Sequence, residues 1–216
     1  MRIDLHAHSA ISDGTDTPTE LMFAAAKAGL DVVALTDHDT IAGWDEAAAA
    51  VGSANVALVR GIEISCSADG ITAHLLGYLH NPARGDDLDA LLSQARAARI
   101  RRIEEMTARI AKDYPISIAD VYRQAGTSRT IGRPHLADAL VAAGVIANRS
   151  AAFEQLLATS SPYYVRYQAP HPVEVTELVR AAGGVPIFAH PRATKRQRRF
   201  VSKNVIRDMV KAGLFA

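Results

Sequence analysis

The sequence predicts an α/β fold whose sheet is interrupted by one helical block. Three observations predict it. Short apolar runs alternate with helix-compatible runs through about the first 80 residues, the pattern of parallel strands joined by helical crossovers. From about residue 84 the rhythm turns almost wholly helical. A strand-like run, "GVPIFAHP" at 184–191, then returns. The expected organisation is one α/β domain over residues 1–83 and 171–216, with a helical insertion or lid over 84–170.

Each element has its own signal. "RIDLHAHS" reads as a strand. "TPTELMFAAAKAGL" reads as a helix: Thr17 is the expected N-cap, Pro18 sits at the first helical position, Glu20 completes a capping box and Gly29 is the stop. "DVVALTDHD" is a strand of β-branched and apolar residues, followed by a short helix from Trp44 to Val51. "VALVRGIEISCS" and "ITAHLLGYLH" are the next two strands, expected to run parallel to the first two. A long helix is expected from Asp86 to Lys112, with shorter ones at Ile118–Ala125, Pro134–Ala143 and Arg149–Ala158. "PVEVTELVRAAGG" is the helix before the returning strand, and "SKNVIRDMVKAG" the last helix. "LFA" then looks like the start of another strand.

Composition narrows the function classes. The chain has 216 residues, 49% of them hydrophobic, and a net charge of +1, so no global field directs it to nucleic acid or membrane. The single cysteine, Cys66, excludes an intrachain disulfide and fits a reducing compartment. The N-terminus lacks a signal-peptide apolar run, and no stretch approaches the roughly 20 apolar residues of a membrane span. A cytoplasmic protein with no membrane partner is the expectation.

The chemistry lies in the histidines. His6, His8, His38, His74 and His190 fall inside or at the end of expected strands, and the C-terminal strand ends form the active face of parallel barrels. His6 and His8, two apart, point to one side. Asp13 follows on a loop, and Glu63 lies within a strand, where a lone buried carboxylate costs several kcal/mol unless compensated. A single strand histidine is most often a core residue satisfied by one hydrogen bond. Five of them with two carboxylates point instead to metal ligation by imidazole and carboxylate, a set suited to Zn, Mn or Fe.

"DLHAHSAISDG", "ALTDHDTIAG", "GIEIS", "AHLLGY" and "AHP" together resemble the PHP (polymerase and histidinol phosphatase) family, in order and spacing, over nearly the whole chain. The resemblance is greatest to stand-alone bacterial phosphoesterases acting on nucleotide phosphates, the 3′,5′-nucleoside bisphosphate phosphatases and the related enzyme that trims short RNA. These also carry a helical insertion and a "GRPH" motif, here Gly132 to His135. The resemblance implies a distorted (β/α)7, TIM-like barrel of the PHP type holding two to three divalent ions (Mn, Zn or Fe). His6, His8 and Glu63 would hold one ion, Asp13 and His38 a second, and Glu63, His74 and His190 a third. The family completes the first two with a C-terminal "D-x-H". After His190 this sequence has only Asp208 and no histidine, so the expectation is a barrel truncated at its C-terminus by one or two strands.

The implied activity is hydrolysis of nucleotide or short-RNA phosphate esters by metal-activated water, with a small phosphorylated substrate as partner and no stable nucleic-acid complex. A second reading is a degenerate or truncated member that binds metal or nucleotide without turnover. Arg133 and His135 are the expected catalytic-site residues outside the metal set, binding a second phosphate or stabilising charge; a plain helix start with a surface arginine is the alternative. "KRQRR" at 195–199 is either a solvated loop or an attractor of polyanions, and Tyr163, Tyr164 and Tyr167 either pack the insertion boundary or stack on a base.

Overall fold

The structure, a computed structural model, describes residues 1–192 and 199–216. Its centre is a five-stranded sheet in the order β1-β2-β3-β4-β5, with β1 at Ile3–Ala7, β2 at Val32–Leu35, β3 at Ala57–Ala68, β4 at Ile71–Tyr78 and β5 at Val185–Ala189. Helix α1 (Pro18–Lys27) links β1 to β2, and α2 (Trp44–Ala54) links β2 to β3. The capping box of Thr17 and Glu20 is present, and Gly29 takes the left-handed conformation that ends α1, with φ 72°. β1 pairs with β2, and β2 with β3, in parallel.

The all-parallel expectation fails at β4. β3 and β4 form an antiparallel hairpin, and β4 pairs antiparallel with β5. The cause is local. Asp69 and Gly70 both have positive φ, 53° and 73°, the conformation of the two-residue turn whose twist suits a hairpin. β3 changes partner at Gly61: Ala57 to Arg60 pair with β2, and Gly61 to Ala68 with β4. A Cβ at Gly61 would stand 2.9 Å from both the Thr36 methyl and the Tyr78 ring, so the crossing requires glycine.

Hydrophobic clusters pack on the sheet and within the helical block. α1 and α2 cover β2 through Met22, Leu35, Trp44 and Ala47. The β3–β4 face packs against α7 (Pro172–Ala181), α8 (Lys203–Lys211) and the first turns of α3 (Asp86–Ile110) through Ile62, Ile64, Leu75, Leu88, Val179 and Met209. The later turns of α3 join α4 (Ile118–Ala125), α5 (Arg133–Ala142) and α6 (Arg149–Gln155) in a separate core around Met106, Val121, Leu136 and Leu157. One helix is thus shared between the sheet and the helical block. Phe215 donates its N–H to the Pro186 carbonyl, and Phe188 donates to Ala216, so "LFA" lies along β5. No helix is long and apolar enough to cross a membrane among the described residues.

Candidate metal centre

The parallel strands β1 and β2 end at the same level, and their following loops carry His8, Asp13 and His38. His38 lies beyond β2, held by an isolated parallel bridge to Glu63. His74 is not at a strand end. It sits in the middle of β4 opposite Ser65 and Ala189, diagonal to Glu63. Strand alternation would send His190, which follows Ala189, to the other face. Its φ of 31° breaks that alternation and returns the ring to the His74 side.

All five imidazoles converge on Glu63, which is 2% exposed. Its Oε2 lies 3.0 Å from His6 Nε2, 3.0 Å from His8 Nε2 and 3.4 Å from His38 Nδ1. Its Oε1 lies 3.0 Å from His74 Nδ1 and 3.0 Å from His190 Nε2. The two last nitrogens are 3.3 Å apart. Asp13 stands outside this ring, 3.6 Å from His8 Nδ1 and 3.6 Å from His38 Nε2. Donor atoms compact enough to share one ion form two groups, His6 with Glu63 and His190, and His8 with His38 and Glu63. These cut across the partition implied by family resemblance.

The donor set fits cations. An ionised carboxylate offers about four lone-pair positions, fewer than the five ring nitrogens directed at Glu63. Tetrahedral ligands about 2.0–2.1 Å from zinc lie roughly 3.3 Å from each other, the spacing seen across this cluster. His8 is consistent with this. Ser12 Oγ donates its one proton to Asp37 at 2.7 Å, so it can only accept at His8 Nδ1, 3.4 Å away. With Nδ1–H directed at Ser12, His8 Nε2 faces the Glu63 carboxylate either as the second N–H of an imidazolium or, in the neutral ring, as a lone pair open to a cation between them.

The electrostatics agree. Burial opposes ionisation of Glu63, but His38, His190, His6 and His74 outweigh it and hold its pKa well below the usual carboxylate range. Burial pulls His8 down, yet the hydrogen bond and charge of Glu63, with Asp13 and Asp37, raise it above the usual value. His38 is pushed well below the usual value, chiefly by burial.

Two aspartates that sequence reasoning passed over build the walls. Asp37 accepts from the Ser9 N–H at 2.8 Å, the Ser9 hydroxyl at 2.6 Å and Ser12, fixing the loop between His8 and Asp13. Asp39 is wholly buried, accepts from the Ser65 N–H at 2.7 Å and pairs with Arg99 Nε at 2.6 Å. Arg96, Arg99 and Arg102 recur every third residue along α3. That spacing on one helix face was the available signal.

The helical block adds a basic wall. Arg102 donates to the Val165 carbonyl, and its guanidinium carbon lies 5.0 Å from the Tyr164 ring and 5.6 Å from Tyr167. Arg102 Nη2 is buried without a hydrogen-bond partner among the described residues. Arg133 donates to the Leu157 carbonyl and stacks on Phe153 at 5.2 Å and Tyr164 at 6.0 Å. Burial lowers both pKa values, reinforced by the charge of Arg133 and Arg99 on Arg102, which falls to about 10, and by that of Arg99 on Arg133. His135 is buried; its Nδ1 accepts the Gly132 N–H at 3.1 Å, and its ring also bonds to the Ser12 backbone. Tyr163 donates to Asp113 and packs in the helical core. The "KRQRR" run lies outside the described residues except for Arg199, which is exposed.

Comparison with known proteins gives a consistent picture. The family model that matches describes the PHP domain and covers residues 4–167. The chain is 34% identical over 207 residues to a 5′-3′ exoribonuclease of Haemophilus influenzae, with 95% of this chain and 74% of that protein covered. It is 33% identical over 212 residues to a 3′,5′-nucleoside bisphosphate phosphatase of Chromobacterium violaceum, covering 98% and 74%. The structure superposes on a candidate metal-dependent phosphoesterase of Bifidobacterium adolescentis with a TM-score of 0.94 and 40% identity, over 99% of this chain and 75% of that one. An amidohydrolase from Chromobacterium violaceum, solved with sulfate and without metal, gives a TM-score of 0.88 at 32% identity, covering 99% and 75%.

Proposed function

The chain belongs to the PHP domain family and is a metal-dependent phosphoesterase; from that membership we propose that it hydrolyses phosphate monoesters of nucleotides or the ends of short oligoribonucleotides. The observation that carries this reading is the convergence of five imidazoles on the buried carboxylate of Glu63. His6, His8, Glu63, His74 and His190 would hold divalent ions of the Mn, Zn or Fe kind, with Asp13 and His38 holding a further one. Such ions, when bound, supply a water that is acidic near neutral pH and positive charge for the phosphoryl oxygens.

The chain's own groups do the rest. Glu63, kept anionic, binds the positive charge of the site on both carboxylate oxygens. Asp37 fixes Ser12, and Ser12 fixes the tautomer of His8. Arg102 and Arg133 present positive charge that no carboxylate neutralises among the described residues, which suits a second phosphate of the same substrate. Tyr164 lies between them. His135, through its bonds to Gly132 and Ser12, joins this basic wall to the Asp13 loop. The block over residues 84–170 then acts as a lid on the strand ends of a PHP barrel built from 1–83 and 171–216.

Both curated relatives bear names compatible with substrates of more than one phosphate. The test is release of inorganic phosphate from a nucleoside 3′,5′-bisphosphate, a nucleoside monophosphate and a 5′-phosphorylated tetranucleotide, by protein loaded with Mn. Chelator-sensitive turnover, fastest on a substrate with two phosphates, is the expected result. Metal uptake without turnover of any of them would establish the non-catalytic reading instead.

A further inference from the structure

Most polar contacts between the helical block and the histidine cluster fall on one side of it, the exception being Arg99 Nη2 to Ser65 Oγ on β3. Thr130 Oγ1 donates to the His38 carbonyl at 2.7 Å. Arg96 Nη1 donates to the Asp39 carbonyl at 2.7 Å, and Arg99 Nε to the Asp39 carboxylate at 2.6 Å. Ser128 Oγ donates to the Ser12 carbonyl at 2.7 Å, and the Arg129 N–H to the Ile11 carbonyl at 2.8 Å. Apart from that exception, every one of these contacts lands on the two loops that carry Asp13 and His38. His74 and His190 are instead held by the ladder of β4 and β5.

Asp39 is the joint between the two parts. Its φ of 52° lies in the left-handed region, where a non-glycine residue stays only if its surroundings hold it. Its Oδ1 takes the Ser65 N–H and its Oδ2 takes Arg99, whose Nη2 also reaches Ser65 Oγ at 2.6 Å. The Asp39 N–H donates to the Glu63 carbonyl at 3.0 Å, and this bond belongs to the bridge that sets His38 against Glu63. Arg99 comes from α3, the helix shared between the sheet core and the helical core.

We propose that Arg99 is a positioning residue for His38: through Asp39 it makes the affinity of the Asp13–His38 metal position depend on docking of the helical block, leaving the Glu63–His74–His190 position independent. This rests on the metal-dependent reading above. Among the described residues Arg99 bonds to no ligand: its side chain reaches Asp39 and Ser65, and its charge also acts on His38 and Asp13, so the contact route to the Asp13–His38 position runs through Asp39.

The test is a cobalt titration of the full chain after metal removal, read by calorimetry and by the visible absorption of bound cobalt. Arg99→Gln should weaken one equivalent by tenfold or more and leave the tightest of the others within about twofold. Arg99→Lys should restore part of the loss. In an Asp13→Asn background Arg99→Gln should add nothing, whereas beside His190→Ala it should have its full effect. Asp39→Asn, which tolerates the left-handed backbone, and Thr130→Val supply the same test should Arg99→Gln fail to fold. A lower melting temperature with unchanged cobalt binding would make Arg99 purely structural and overturn the proposal. Equal weakening of every equivalent would overturn it too. Wild-type protein that takes up no cobalt would overturn the metal reading itself.

Discussion

Replacing Arg102 by methionine should make the ligand-free protein more stable and its catalysis worse. The Arg102 pKa falls to about 10, against an ordinary arginine value of roughly 12.5 or above. At about 1.4 kcal/mol per tenfold, holding that charge in the folded chain costs about 3 kcal/mol. The sign follows from the direction: a cation whose folded pKa lies below its unfolded one destabilises the fold at every pH below about 10. Methionine keeps the unbranched stem as far as the Nε position and removes the charge with the rest of the guanidinium. It forfeits the hydrogen bond to the Val165 carbonyl, about 1 kcal/mol, and the contacts with Tyr164 and Tyr167, together about 1–2 kcal/mol. Up to about 1 kcal/mol of net stabilisation remains, a rise of at most roughly 2–4 °C in Tm for a domain of this size. Thermal melts without ligand measure it. Lost charge-assisted hydrogen bonds to a second phosphate, about 1.5–3 kcal/mol, should lower kcat/KM on a nucleoside bisphosphate by roughly 10–150-fold. The monophosphate should suffer much less. A ligand-free Tm that drops by several degrees, or equal losses on both substrates, would refute the anion-site reasoning.

Three further outcomes are expected. Glu63→Gln breaks a buried charge cluster, so metal affinity and kcat/KM should fall together by roughly 10²–10³-fold, the equivalent of about 3–4 kcal/mol; full metal content in the purified variant would contradict its place at the centre. In metal-stripped protein, His38, depressed by burial, binds its proton only on unfolding, so stability should fall as pH drops below about 6.5, by at most about 1.4 kcal/mol per pH unit. His8, raised by Glu63 against burial, acts oppositely, its stabilisation present below about pH 6.5 and lost as pH rises through its folded value. Urea midpoints between about pH 7.5 and 5.5 should therefore show a shallower acid loss in His38→Asn and a steeper one in His8→Asn; the reverse order would show the signs to be wrong. Gly14→Ala would place a Cβ 2.4 Å from the His8 carbonyl oxygen, a backbone atom, costing about 1–3 kcal/mol. It should weaken metal binding at Asp13 without removing a ligand, and a normal binding isotherm would show that this loop tolerates the shift.

The clustering of the candidate ligands was more legible than the fold around them, for a physical reason. Metal ligands come from few residue types, and a histidine in an apolar strand stands out whichever way the strand runs. His74 was therefore visible as a donor even though β4 lies antiparallel to the strands it was expected to follow. The signal for that reversal was on the page as Asp69-Gly70, but a hairpin turn looks like any loop until both positive φ values are known. What sequence could not order was the support. Asp37 and Asp39 flank His38 and differ from it only by one position, yet one fixes the loop of His8 and the other carries Arg99. Arg99 and Asp39 lie 60 residues apart, one on α3 and the other on the loop after β2, and no local periodicity joins them. The every-third-residue arginines of α3 did mark a face, but a charged helix face is ordinarily solvated, and only burial against Tyr164 and Tyr167 turns Arg102 into strained charge. The donors are thus written in residue type, whereas their tuning depends on contacts between distant segments.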